Sequence, residues 1–169
     1  MASPEIRLRP IGVIRTPYGP DTVCPHQPID DPRGEARLEV QERYQPGLAQ
    51  LEKFRYLIVL YHLDRERTDA DMLARPPWAG GIEVGLFASR SPHRPCPIAM
   101  SVVRLRRIEG NTVFTSLIDA YDGSPLLVIK PYVALLDRKD DANDGWLDDL
   151  DNRQHAIDHL CGRPHHHHH

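Results

Sequence analysis

The sequence predicts a mostly β fold: a compact antiparallel β-barrel of about seven strands with a short C-terminal extension. Three observations carry that expectation. Sixteen prolines and eleven glycines break up the 169 residues at intervals of roughly eight to twelve, a spacing that suits short strands. Apolar residues alternate with polar ones more often than they recur at helical spacing. A three-residue connection containing glycine joins two β-rich runs, as a hairpin requires.

Taken in order, Ile6 to Thr16 reads as a first strand, with Ile6, Leu8, Ile11, Val13 and Ile14 interrupted by Pro10. Ala36, Leu38 and Val40 alternate with Arg37, Glu39 and Gln41, the period of a half-buried strand. Leu48, Leu51 and Phe54 recur every three residues after Pro46 and Gly47, which allows a short helix or turn. Arg55 to Leu63 is apolar and β-rich, so a central strand buried on both faces is expected. Ile82 to Ala88 reads as a fourth strand. Ala99 to Ile108 and Thr112 to Ile118 flank Glu109-Gly110-Asn111, the hairpin connection. Leu126 to Ile129 completes the set before Pro131. Beyond Tyr132 an Asp-rich stretch reads as loop, and Asp151 to Leu160 as a short terminal helix. The expected division is a barrel domain over 1–136, an acidic extension over 137–164 and a purification tag over 165–169.

Composition excludes several classes. Hydrophobic residues make up 40% and charged residues 27%, globular values that a wholly disordered chain does not have. The longest apolar run, Tyr56 to Tyr61, falls far short of the roughly 20 residues that span a bilayer. The first residues lack the basic and apolar regions of a secretory signal, so a cytoplasmic location without a membrane partner is expected. Cys24, Cys96 and Cys161 suggest neither a disulfide framework nor a zinc ribbon. His155 and His159, four apart beside the tag, are the one His-x-x-x-His pair with an acid nearby, and they read as surface residues, so no metal is expected. There is no glycine-rich phosphate loop. The net charge is −3, yet seven aspartates between Asp137 and Asp151 face only Arg138 and Lys139. Arg90 to Arg107 holds five arginines and no acid, which suits either contact with a phosphate or carboxylate, or a solvated face.

Four clusters carry chemistry. Phe87 to Ile98 contains Pro92, Pro95 and Pro97 at close spacing, so its backbone is stiff. It mounts Arg90, His93 and Arg94 for anion recognition, unless these arginines pair with the acidic tail. Asp119-Ala120-Tyr121-Asp122-Gly123-Ser124-Pro125 is either a polar site or an ordinary turn. Pro25-His26-Gln27-Pro28 is a proline-braced polar pair. Asp64 and Arg65 follow the most apolar strand, where loops tend to carry function. Cys96 near His93 lacks a third orienting group and reads as an inert thiol.

These clusters together resemble one family. Ile11 to Tyr18, Pro25-His26-Gln27, Gly47-Leu48 with Leu51 to Phe54, Arg90-Ser91-Pro92-His93-Arg94-Pro95, Asp122 to Leu127, Ile129 to Val133 and Gly145-Trp146-Leu147 are similar to the tRNA methyltransferase family TrmO, also called YaeB or VirR-like. The resemblance covers residues 10–147. It implies a β-barrel that binds S-adenosylmethionine, works as a homodimer with the cofactor near the subunit interface, and methylates N6 of threonylcarbamoyladenosine beside the tRNA anticodon. It also implies a cofactor pocket drawn from Pro25, His26, Gln27, Asp64, Arg65, Arg90, Ser91, Met100, Asp119, Asp122, Gly123 and Ser124, with Arg94 toward the substrate.

The chain departs from the family pattern at four places. Cys96 and Ala99 stand for the Asn and Gly of the family's Arg-Pro-Asn-Pro-Ile-Gly segment, Val128 stands for an acid, and Asp64 stands where a His is common. Longer members of the family carry a further C-terminal domain that helps hold tRNA. Methylation of a small molecule is therefore the alternative to methylation of tRNA, and a non-catalytic S-adenosylmethionine-binding barrel is the third reading. A sulfonium methyl donor is already activated, so transfer needs only a nucleophile held about 3–3.5 Å from the methyl carbon. Arg90 or Arg65 is expected on the donor's carboxylate and Asp122 on its ammonium. Asp119, Asp64 and His93 are the candidate proton acceptors.

Overall fold

The computed structural model describes residues 4–25, 28 and 30–160. Eight strands run β1 (Gly12–Arg15), β2 (Ala36–Val40), β3 (Tyr56–His62), β4 (Leu73–Ala74), β5 (Val84–Gly85), β6 (Ile98–Glu109), β7 (Thr112–Thr115) and β8 (Pro125–Pro131). Two short α-helices follow, α1 (Ala134–Asp137) and α2 (Arg153–Leu160). Six strands form one antiparallel sheet in the order β1-β2-β7-β6-β3-β8, closed by the pairing of β1 with β8. β4 and β5 form a separate two-stranded ribbon.

Alternation decides what faces inward. Ile14, Leu38, Leu57, Val59, Val103, Val113 and Leu126 are fully buried inside the ring, and Ile118 joins them from the segment after β7. On β3 the buried residues are Leu57, Val59 and Tyr61, while Tyr56, Ile58, Leu60 and His62 are only half-buried. The expectation of a strand buried on both faces is thus corrected. β3 has a neighbour on each edge, β6 and β8, but the outer face of a closed sheet meets solvent. Gly12 is needed where β1 crosses β2, because a Cβ there would collide with the Glu39 carbonyl. The β6–β7 hairpin turns at Gly110, whose φ of +59° lies in the left-handed region that glycine enters without penalty.

Other expectations shift. The first strand is confined to Gly12–Arg15, since Pro10 lacks the donor that would extend it. Ile82 to Ala88 is not one strand: two residues pair as β5 and Leu86–Ala88 coil into a 3-10 turn. The segment around Leu48 is likewise a pair of 3-10 turns, Glu42–Leu48 and Leu51–Lys53. The terminal helix begins at Arg153, within the stretch expected.

The antiparallel order gathers connections unequally. The links β1–β2 (16–35), β3–β6 (63–97) and β7–β8 (116–124) all leave from one rim. The other rim carries the β6–β7 hairpin and the 3-10 segment between β2 and β3. Two long, proline- and glycine-rich links and the shorter 116–124 link at a single rim put the chemistry-bearing clusters there.

Candidate functional site

At that rim, two inward strand positions meet a carboxylate. Tyr61 continues the inward parity of Leu57 and Val59, and Ser101 that of Val103. Ser101 Oγ donates to Asp119 Oδ1 at 2.5 Å. Tyr61 Oη donates to the Asp119 carbonyl at 2.9 Å and lies 3.3 Å from Ser101 Oγ. Burial raises the pKa of the Asp119 carboxyl, against the lowering effects of the Ser101 hydrogen bond and the Arg90 charge. The Cys24 thiol is pushed up to about 12 by burial and, secondarily, by the Asp119 charge. Burial also raises the Tyr18 and Tyr61 phenols, with Asp119 contributing to each. A negative charge at Asp119 is therefore felt by groups from four segments of the chain.

The 119–124 turn is fixed to the end of β1. Thr16 Oγ1 donates to the Ala120 carbonyl at 2.8 Å, the Asp122 amide to the Tyr18 carbonyl at 2.7 Å, and the Gly123 amide to the Ile14 carbonyl at 2.8 Å. Gly123 takes φ of +85°, where a side chain would be strained. Asp122 Oδ1 accepts the Thr16 amide at 3.2 Å, and its other oxygen lies 3.6 Å from the Arg15 guanidinium. The Arg65 guanidinium donates to the Asp122 carbonyl at 2.7 Å and covers the Tyr121 ring, 5.2 Å from its centroid. The cluster is thus a turn fixed from both β1 and the β3–β6 link.

The proline-braced loop divides its side chains. Arg90 acts on Asp119. Arg94 instead braces the loop itself, donating to the Ser89 and Ser91 carbonyls at 2.9 and 3.3 Å. His93 Nδ1 is 2.9 Å from the Glu66 carboxylate. Ser91 and His93 line a cavity of about 360 Å³ with Arg67, Leu73, Arg75 and Leu86, formed within the β3–β6 link. Asp64 and Arg65 are exposed in the turn after β3. Met100 projects from the face of β6 opposite to Ser101, is 53% exposed, and pairs in register with Leu60. Ser124 is buried beside β1 and Pro25 is half-buried. His26 and Gln27 lie outside the described residues.

Of the candidates, Arg65, Asp122, Gly123 and Ser124 share one hydrogen-bonded turn next to Asp119, and the Arg90 charge acts on Asp119, whereas Met100 faces outward from β6 and His93 pairs with Glu66. The five arginines of 90–107 do not form one free basic surface. Arg104 pairs with Asp30, Arg107 pairs with Glu35 and Glu109, and Arg106 donates to the Asp31 and Pro32 carbonyls. Apart from Glu109 on β6 itself, these partners come from the β1–β2 link rather than from the acidic tail. Sequence reasoning missed Tyr18, Cys24, Tyr61 and Ser101. The parity of Tyr61 and Ser101 with inward apolar neighbours was the available signal, a polar group in a core register. Among the described residues, no three His, Cys, Asp or Glu side chains are grouped to hold a metal, and no helix is long and apolar enough to cross a membrane.

Three comparisons bear on this geometry. The family defined as the tRNA-methyltransferase O N-terminal domain matches residues 13–138. A probable S-adenosyl-L-methionine-binding protein of Archaeoglobus fulgidus is 40% identical over 144 residues, which is 85% of this chain and 38% of that protein. The tRNA (adenine(37)-N6)-methyltransferase of Homo sapiens is 30% identical over 158 residues, 90% of this chain and 36% of its own length. A crystal structure of TrmO from Pseudomonas aeruginosa superposes with a TM-score of 0.67 at 32% identity, over 83% of this chain and 62% of that one. The chain spans less than two thirds of each of these proteins.

Proposed function

From the premise that the chain belongs to the tRNA-methyltransferase O N-terminal domain family, we propose that it is an S-adenosylmethionine-dependent N-methyltransferase, acting on N6 of a modified adenosine beside the tRNA anticodon. The observation that carries the reading is the half-buried Asp119 carboxyl, hydrogen-bonded by Ser101 and under the charge of Arg90, at the rim where the three links converge. Relatives described as S-adenosyl-L-methionine-binding and as a tRNA methyltransferase support it.

The residues present suit the cofactor. Its methionine end is a zwitterion beside a sulfonium, and the rim supplies both signs. Arg90 and Arg65 would hold the carboxylate, since a guanidinium fork matches that group. Asp122 would face the ammonium, its carboxylate oriented by the Thr16 amide and Arg15. Bound S-adenosylmethionine supplies an activated methyl group, so the protein's task is to orient, exclude water and accept a proton. Asp119 is the group suited to that last role. Burial moves its pKa upward from the ordinary carboxyl range, closer to the operating pH that general-base catalysis favours. Ser101 holds the carboxyl in one orientation, and Tyr61 holds the backbone beneath it.

We read the closed six-stranded ring and residues up to 136 as the family's barrel domain, with 137–164 as an acidic extension. A cytoplasmic homodimer belongs to the same reading. The outward Met100 and Val102, 53% and 39% exposed, offer apolar surface for a second copy, and light scattering at micromolar concentration tests it. Calorimetry with S-adenosylmethionine tests cofactor binding. Mass spectrometry of tRNA nucleosides from a strain lacking the gene then tests the acceptor. Loss of one N6-methylated adenosine supports the tRNA reading; binding without any change in tRNA favours a small-molecule acceptor.

A further inference from the structure

The chain contains two tryptophans, and they stack on each other. The rings of Trp78 and Trp146 lie 5.8 Å apart, 13° from parallel. Trp78 belongs to the β3–β6 link, just after β4, whereas Trp146 sits in a 3-10 turn, Gly145–Asp149, beyond the ring. The indole of Trp146 also donates from Nε1 to the Ala88 carbonyl at 2.8 Å. Ala88 is the last residue of the turn Leu86–Ala88, which the Ser89 amide and hydroxyl close by donating to the Leu86 carbonyl at 3.2 and 2.9 Å. Arg90 follows two residues after Ala88.

The segment behind Trp146 is braced in turn. Arg153 at the start of α2 pairs with Asp144 and Asp148 at 2.6 and 2.9 Å. The His159 ring packs beside Trp78, 6.3 Å between centroids. Ala79 and Ala156 are both buried. The acidic extension is therefore fastened across the loop that delivers Arg90 to the rim. It is not a loose tail.

We propose that Trp146 is a positioning residue for Arg90: its stack on Trp78 and its hydrogen bond to Ala88 hold the base of the proline-braced loop that carries Arg90. The loop beyond Ala88 is internally stiff, through its prolines and through Arg94, so a shift at Ala88 is passed on to Arg90 rather than absorbed. The consequence for ligand affinity rests on the cofactor reading above. The positioning itself does not. Because energetic coupling between two sites is reciprocal, a ligand held by Arg90 must stiffen the Trp78–Trp146 contact in return. Both tryptophans lie in that contact, so the protein's tryptophan fluorescence has no other source.

Trp146→Phe keeps an aromatic ring for the stack and removes the donor to Ala88, while Trp146→Ala removes both. Hydrogen exchange of the unliganded protein reads positioning directly. In Trp146→Phe, amides of 86–94 should exchange faster while amides of the ring strands keep their native protection. Calorimetry with S-adenosylmethionine should show a loss of about threefold to tenfold in affinity, the effect of one neutral hydrogen bond. The loss should be greater in Trp146→Ala, and the Phe variant should keep the native thermal midpoint. Unchanged exchange at 86–94 in both variants overturns the proposal. Faster exchange spread over the ring strands also overturns it, since Trp146 would then serve global stability. If the native protein binds no S-adenosylmethionine while exchange in Trp146→Phe rises only at 86–94, the cofactor reading falls and the positioning role stands.

Discussion

The Ser101 hydroxyl donates to Asp119 across the mouth of the ring at 2.5 Å, joining β6 to the β7–β8 link. An inward serine in an otherwise apolar register has a partner that burial makes reluctant to ionise. The pair sets both the chemistry proposed for the rim and its dependence on pH.

Asp119→Asn should reduce methyl transfer about a hundredfold to ten-thousandfold, the range for losing a general base, with little loss of cofactor affinity. Its effect on stability has the opposite sign. A carboxyl whose folded-state pKa is raised is disfavoured once ionised, so native stability is highest below the ordinary value of about 4. It falls as pH rises toward the folded value. The Asn variant lacks that fall, so thermal midpoints measured from pH 4 to 8 should show it gaining on the native protein as pH rises.

Arg90→Ala should weaken S-adenosylmethionine binding about tenfold to a hundredfold, the worth of a charge-assisted hydrogen bond. Arg90→Lys should recover only part, because an ammonium lacks the planar fork. Arg90 also lowers the pKa of Asp119, so its removal should shift the acidic limb of the pH–rate profile to higher pH. Arg104→Ala is the control. Arg104 is exposed, lies on the outer face and is engaged with Asp30 and Tyr56, so calorimetry should show cofactor binding unchanged.

Tyr61→Phe leaves the half-buried Asp119 carbonyl without its 2.9 Å donor. The expected cost is about 1–3 kcal/mol, read as a lower midpoint in urea unfolding with an unchanged slope.

Gly12→Ala should destabilise the ring where β1 crosses β2, since the new Cβ meets the Glu39 carbonyl and the Val40 Cα. Overpacking against backbone costs about 1–3 kcal/mol. Thermal unfolding should register it without any change in the pH profile of transfer.

The strands were legible where local pattern and tertiary placement agree. Ala36, Leu38 and Val40 alternate inward as their pattern predicts, whereas β3 is buried on one face only, and the hairpin turns in two residues rather than three, because Glu109 pairs with Thr112 and leaves Gly110-Asn111 as the loop. Ile82 to Ala88 was not legible, because its apolar residues pack in the β3–β6 link beside a two-residue ribbon rather than in the ring. The site was legible in its turns, Asp119 to Ser124 and the braced Arg90 loop, whose residue types are unusual locally. Tyr61 and Ser101 were hidden because their significance comes from meeting Asp119 across segments far apart in sequence, and Tyr18 and Cys24 because the Asp119 charge that acts on them belongs to a different link. Arg94 shows the converse: an arginine between prolines suggests an external anion, but the nearest acceptors are its own loop's carbonyls.

Transfer of isotope-labelled methyl groups tests the central claim most directly. Native protein and the Asp119→Asn variant are each incubated with methyl-labelled S-adenosylmethionine and tRNA from a strain lacking the gene, and the digested nucleosides are read by mass spectrometry. The account predicts label on N6 of a single modified adenosine with the native protein, reduced at least a hundredfold with the variant. Label transferred equally by both proteins, or no label in tRNA from a native protein that binds the cofactor, would contradict it.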